Sequence, residues 1–304
     1  MKIILSRKGF DASSGGVASP ILPDGALVPL PIPSPDSPLT YAKLRLGSQP
    51  LDSLVEDLTS RQVRAGDGAH LDPDLSASTY GRLAGWRPLF GQAGAAQAHL
   101  MNQGVDVGDL FLFFGWFRQT QRTESGYGFV TGAPDLHVLW GWLQIDTVLP
   151  VDQPVSDVPP WVAYHPHFSG VSWPTNTVYV ARDHLRLPGM PPGSPGAGAF
   201  PRYRDRLCLT APGHTRRWWR LPRWFFPGNQ RPPLTYHGNL NRWTMTRDHV
   251  ILESMSPGQE FVLDTQHYPE TIEWAYDLIS GAAWPSLRPE SLERDRGSQG
   301  PPRP

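Results

Sequence analysis

The sequence has a single cysteine, only three lysines and no apolar run longer than eight residues. A lone thiol, Cys208, excludes a disulfide framework and any zinc site built from several thiolates. The longest apolar run, Leu110 to Phe117, falls far short of the ~20 residues that cross a membrane as a helix. Only Met1 and Ile3 to Leu5 are apolar before Arg7-Lys8, too few for the core of a secretion signal. A soluble, cytoplasmic protein without a membrane partner is therefore expected. Charge is scarce too, at 18% against the ~25% of ordinary soluble domains. The balance of 27 basic and 28 acidic side chains gives no global attraction for nucleic acid, so any such binding needs a local patch. Several signatures are missing: the phosphate-binding Gly-x-x-x-x-Gly-Lys, the His-Glu-x-x-His zinc helix, the Gly-x-Ser-x-Gly elbow and the Pro-Cys-x-x-Cys of zinc deaminases.

What is abundant is proline and glycine, 34 and 30 of 304 residues, about a fifth of the chain. Such a load of helix breakers excludes a helical bundle or coiled coil. The 24 arginines against three lysines follow from a GC-rich coding bias, which makes the retained Lys2 and Lys8 more notable than any one arginine.

Apolar and β-branched runs predict strands at Lys2–Ser6, Asp109–Arg118, His137–Leu149, Asn176–Arg182, Arg206–Thr210, Arg247–Glu253 and Gln259–Asp264. Helical spacing predicts helices at Leu51–Val63, Ala93–Gln103 and Pro269–Ser280, the last with an apolar face of Ile272, Ala275, Tyr276 and Ile279. Leu27–Ser37 is too rich in proline for a central strand, and Leu187–Gly198 reads as a loop. Strands come in runs rather than alternating with helices, which argues against a doubly wound nucleotide fold. The expected class is β-rich α+β: a mostly antiparallel sheet or partly open barrel with a few peripheral helices. One domain over residues 1–284 and a disordered tail over 285–304 complete the reading.

Four polar clusters can carry chemistry. Arg7, Lys8 and Asp11, followed by Ser13, Ser14 and Gly15-Gly16, leave the end of a strand with two cations, a carboxylate and hydroxyls, a set suited to a phosphate or sugar; the plain alternative is a loop that Asp11 caps. His70, Asp72 and Asp74 alternate, so an extended backbone projects them together as metal ligands or acid–base groups, unless Asp-Pro simply turns the chain. His165 and His167 stand two apart and can ligate a metal, with further ligands from Asp72 and Asp74, or act as acid and base; a polar loop is the bland counterpart. Between Arg202 and Arg223, seven arginines are offset only by Asp205, with Trp218 and Trp219 interleaved. Arg216, Arg217 and Arg220 would hold phosphates while the indoles stack on bases, or the tryptophans are core.

Gly108-Asp109 opening the strand Leu-Phe-Leu-Phe-Phe, followed by a second strand through Trp140-Gly141-Trp142, is similar to the layout of PUA-like barrels, which bind RNA or modified bases. More distinctive strings are Met1-Lys-Ile-Ile-Leu-Ser-Arg-Lys-Gly-Phe-Asp11, Ser19-Pro-Ile-Leu-Pro-Asp-Gly25, Leu30-Pro-Ile-Pro33, His70-Leu-Asp-Pro-Asp74, Gly108-Asp-Leu-Phe-Leu-Phe-Phe-Gly-Trp-Phe-Arg118 and His165-Pro-His167. Together these resemble, over about residues 1 to 280, the third of the nucleotide-modification-associated domain families, with Ala18 where a proline is usual. The resemblance implies a role beside DNA base modification in bacteria and their phages, without fixing a reaction or a cofactor.

Two functions follow as expectations. In the first, an enzyme acts on a nucleotide or a DNA base, with Arg7 and Lys8 on phosphate, Asp11 or Asp72 as general base, and His165 or His167 as acid or metal ligand. In the second, a PUA-like reader holds a modified base or single-stranded nucleic acid against its aromatic strands without altering it. Convergence of residues 7–11, 70–74 and 165–167 on one cavity separates the two.

Overall fold

A computed structural model describes residues 1–47, 49–151, 158–168, 173–228, 230–255 and 260–281. Its centre is a nine-stranded mixed sheet. The main path runs Glu260–Asp264, Lys2–Arg7, Leu110–Thr123, Leu136–Pro150, Thr177–Ala181, Leu89–Gln92, with three short strands attached to its two longest members. The long pair Leu110–Thr123 and Leu136–Pro150 is antiparallel, from Leu136 opposite Phe117 to Gln144 opposite Leu110. Leu110 to Phe114 are all fully buried, so both faces of this strand are covered, which is why its sequence is continuously apolar rather than alternating.

Lys2–Arg7 lies parallel to the first half of the Leu110–Thr123 strand, and Ser19–Ile21 lies parallel to its second half. The segment between them leaves the sheet after Lys8 and returns to the same strand.

The sheet curls until its two end strands face each other. Gln92 Nε2 donates to Glu260 Oε1 across 2.5 Å, and the Lys8 ammonium sits 4.5 Å from the centre of the Phe90 ring. These are side-chain contacts; no backbone ladder joins the two end strands, so the barrel is not closed. The expected β-rich α+β class with a mostly antiparallel sheet is what the chain adopts, with three α-helices among the described residues. Phe90 packs at 5.0 and 5.2 Å from Phe111 and Phe113, and Phe113 stacks on Trp140 at 5.6 Å. Each such pair contributes roughly 0.5–1.5 kcal/mol beyond the area it buries.

Helix Leu51–Leu58 presents Leu51, Leu54, Val55 and Leu58 to a second apolar cluster beside the sheet. Helix Glu270–Ser280 buries Thr271, Ala275, Leu278 and Ile279, a face turned slightly from the expected one. Ile272 and Tyr276 lie at its margin, half covered. A three-stranded sheet of Trp218–Pro222, His249–Glu253 and Trp243–Met245 packs Trp219 against Phe114 and Phe261.

Several local expectations change, the helix expected at Leu51–Val63 ending at Leu58 and the loop expected at Leu187–Gly198 running into the strand Ala197–Ala199. Arg206–Thr210 is not a strand: Asp205–Leu207 forms a 3-10 turn, and only isolated bridges from Cys208 and Thr210 follow. The strand Leu89–Gln92 was not signalled, because four residues interrupted by Gly91 carry no usable period. Residue 259 of the expected last strand and the tail over 285–304 lie outside the described residues.

Among the core polar groups, His137 accepts a hydrogen bond at Nδ1 from the Trp219 indole at 3.0 Å. Burial first, then the nearby Arg216 and Arg7, pushes its pKa down to about 3 from an ordinary 6.5. The unfolded chain takes up this proton near pH 6.5 and the folded chain near 3, so the fold is penalised as pH falls between the two. For this one group the loss is about 1.4 kcal/mol per pH unit. Urea denaturation at pH 7.5 and pH 5 should show a smaller pH difference for His137→Asn than for the native chain. Equal differences in the two proteins would sink the assignment.

Candidate functional site

The Asp72 carboxylate gathers three histidines from two distant stretches of chain. His70 ends the two-residue strand Ala69–His70, which pairs with Ile32–Pro33. With Leu71 between them, His70 and Asp72 project together, and His70 Nε2 lies 3.8 Å from Asp72 Oδ2. His165 and His167 come from a tight turn: Phe168 N–H donates to the His165 carbonyl, and Pro166–Phe168 is a 3-10 turn. This places His165 Nε2 3.3 Å from Asp72 Oδ1 and His167 Nε2 3.6 Å from Asp72 Oδ2.

The carboxylate itself is fixed by the sheet. Gly91 N–H donates to Asp72 Oδ1 at 2.7 Å. Gly91 has to be glycine here, because a Cβ would lie 2.2 Å from the His167 ring. Asn176, at the start of the neighbouring strand, grips the turn twice: its Nδ2 donates to the His167 carbonyl at 2.9 Å, and its Oδ1 lies 2.5 Å from His167 Nδ1. Trp173 lies over the cluster, its ring 5.1 Å from that of His167 and 6.3 Å from that of His70. Burial works to protonate Asp72, but the surrounding imidazoles, His165 foremost, outweigh it and hold the carboxyl well below the usual range. His165 is fully buried, and that burial pushes its pKa down to about 4.

Asp74 stands apart from this set. Both its oxygens take Arg82 guanidinium bonds of 2.6 Å, and Tyr164 donates its hydroxyl at 2.5 Å. Burial raises this carboxyl to about 6 even against the Arg82 charge. The Tyr164 hydroxyl also receives the Trp86 indole N–H at 2.7 Å. Asp74 therefore anchors Tyr164, the residue immediately before His165, and so holds the histidine-bearing turn against the segment that carries Asp72.

Beside Asp72 opens a cavity of about 920 Å³, at the upper end of the ~300–1,000 Å³ of small-molecule sites. Asp72 to Ser76 form one wall, Gly9 and Val28 to Pro31 another, and Trp140, Trp142 and Phe200 supply aromatic surface. Arg122 stands at its border, its guanidinium 3.8 Å from the Tyr127 ring centre.

The other expected site residues lie elsewhere. Lys8 turns inward, 3.2 Å from Glu260 in a cluster with Ser6 and Gln92. Burial raises the Glu260 carboxyl against the pull of Lys8. Asp11 Oδ1 accepts from Ser13 N–H, Ser13 Oγ and Ser14 N–H at 2.7–2.8 Å, so it caps its own turn. Arg7 is largely buried, which lowers its pKa, with Asp11 and Glu260 opposing the shift and Arg216 adding to it. Arg216 stacks on Trp116 at 4.0 Å and Arg217 pairs with Glu253 at 2.6 Å. Trp218 is half-buried and Arg220 exposed, while Trp219 is core, packed against Phe114, His137 and Phe261. None of residues 216–220 lines the cavity.

Residues 2–264, a span that holds every group described at this site, match the sequence profile of nucleotide modification associated domain 3. The chain belongs to that family. No curated protein and no solved structure matches it. Nucleotide modification associated domain 3 is named for its association with nucleotide modification, and here Asp72, which lines a large cavity, is flanked by three histidines that do not line it. Gly91 and Asn176 are among the site residues without a sequence signal of their own, as are Arg82, Trp86 and Trp173: a glycine in a short strand and an asparagine at a strand start are common for other reasons. No helix among the described residues is long and apolar enough to cross a membrane.

Replacing Gly91 by alanine forces the His167 ring or the Leu89–Gln92 strand to move. Gly91→Ala should lower stability by roughly 1–3 kcal/mol, the usual cost of overpacking, read by thermal or urea unfolding. An unchanged midpoint would show that the ring yields freely and that the close approach does not fix it.

Proposed function

We propose that this protein is an enzyme acting on a nucleotide or on a base in DNA, with the Asp72–histidine cluster as its chemical centre and the adjoining cavity as its substrate site. The observation that carries this reading is the approach of His70, His165 and His167 to one buried carboxylate, Asp72, which itself lines the cavity although the three histidines do not. An ionised carboxylate beside imidazoles can accept a proton or hold a cation, and burial strengthens every such interaction. In this reading the base lies against Trp140 and Phe200, Arg122 faces phosphate, and Asp72 with His167 works on the reacting atoms. His165 and Asp74 hold the others in place. Arg216, Arg217 and Arg220, outside the cavity, meet phosphates of a longer DNA strand.

The aromatic wall also fits a second reading, in which a modified base is held and not altered. Mass analysis of nucleosides separates the two. DNA from a host of the native gene should contain a modified nucleoside that is lost, by at least tenfold, with Asp72→Asn. Identical nucleosides with and without the gene would overturn the enzyme reading. Retained, salt-sensitive binding of modified DNA by Asp72→Asn would then favour the reader.

A further inference from the structure

We infer that His70, Asp72 and His167 form a binding site for one divalent first-row transition-metal ion, held through two imidazole Nε2 atoms and Asp72 Oδ2. One donor atom from each of the three residues lies within 4.8 Å of the other two. The inference deepens the proposed function by naming the cofactor class of the same centre, and its test needs no substrate.

The hydrogen bonds around the cluster distinguish His167 from His165. Asn176 Nδ2 donates to the His167 carbonyl, so Asn176 Oδ1 is the atom that faces His167 Nδ1 and accepts its proton. The neutral ring then carries its lone pair on Nε2, 3.6 Å from Asp72 Oδ2. A histidine whose far nitrogen is tied to an amide or carbonyl oxygen is the usual outer-shell arrangement of a metal ligand. His165 is set the other way. Its Nδ1 takes a long contact of 3.4 Å from His167 N–H, and its buried Nε2 lies 3.3 Å from Asp72 Oδ1 without a hydrogen bond. It stands beside the three proposed ligands rather than among them.

The carboxylate is divided in the same sense. Oδ1 is held by Gly91 N–H. Oδ2 faces His70 and His167 at 3.8 and 3.6 Å, beyond the ~2.7–3.2 Å of an N–H···O hydrogen bond. A single proton shared with Oδ2 would serve one of these nitrogens and leave the other lone pair facing an oxygen; a cation satisfies all three atoms. Bonds of ~2.0–2.2 Å place ligand atoms ~3.0–3.5 Å apart, so both contacts to Oδ2 need only a small contraction. His70, the most exposed of the three at 15%, has the most room to swing in.

Two imidazoles and one carboxylate select a transition-metal ion over magnesium or calcium, which take oxygen ligands. Three protein ligands leave coordination positions for water or substrate, as catalytic sites require. Cys208, the lone thiol, is bound to Thr210 and takes no part.

The test uses the full chain, stripped with a chelator and then titrated with Zn²⁺, Mn²⁺ or, without oxygen, Fe²⁺. Bound metal is counted by elemental analysis after gel filtration, and the fold of each variant is verified by its melting curve. The native chain should keep one ion. Asp72→Asn and His167→Gln should weaken affinity by more than about 100-fold, and Asn176→Leu by roughly 10- to 100-fold, the range of outer-shell losses. His70→Gln, at the most exposed ligand, keeps the test valid should the buried variants not fold. His214→Gln, at an exposed histidine outside the cluster, should bind as the native chain does. Failure of the folded native chain to retain any of these ions, or equal affinity in all variants, would overturn the site. Metal binding without nucleoside modification leaves this site standing and fails the functional reading, whereas modification by a chain that binds no metal does the reverse.

Discussion

An ionised carboxylate taken out of water costs several kcal/mol unless its surroundings replace the lost hydration. Asp72 is approached from three parts of the chain, by a hydrogen bond from Gly91 and by imidazoles at 3.3–3.8 Å, and this constraint organises the site. The Gly91 amide comes from an end strand of the sheet, His165 and His167 come from a turn far along the sequence, and His70 comes from its own ribbon. Each supplier is itself restrained: Gly91 by the strand ladder, His167 by Asn176, and the turn by Tyr164 on Asp74. A loop-rich chain thereby acquires a rigid polar centre without a helix or a disulfide behind it.

The high proline and glycine content acquires a physical meaning in this setting. Long excursions between strands carry the polar residues, and the curled sheet supplies the fixed frame against which they dock. The excursion between Lys8 and Ser19 starts and ends on the same central strand and brings Gly9 to the cavity, while Val28 to Pro31 reach it from the segment that follows Ser19–Ile21.

The large elements were legible in the sequence because their periodicity and length are local properties. Leu110 to Phe117 and the helix from Glu270 announce themselves. The family was legible as well, through strings such as His70 to Asp74 and His165-Pro-His167. Alternation correctly placed His70 beside Asp72, yet it also grouped Asp74 with them, and only the Arg82 fork and Tyr164 reveal its separate partners. Lys8 and Asp11 look like a charged pair in sequence. In space one turns inward to Glu260 and the other caps its own loop, a distinction decided by residues hundreds of positions away or by backbone amides that no pattern records. Asn176 and Gly91 act through a pair of hydrogen bonds and a missing methyl group, which leave no trace in composition.

The seam between the two end strands has a consequence of its own. Elsewhere in the sheet neighbouring strands are joined by ladders of main-chain hydrogen bonds, which no single side-chain replacement removes. At the seam the union consists of Gln92 and Lys8 meeting at Glu260. Closure there is written in side-chain identity rather than in topology. Because Gln92 directly follows Gly91, the same few residues that draw the edges together also set the depth at which Asp72 is held.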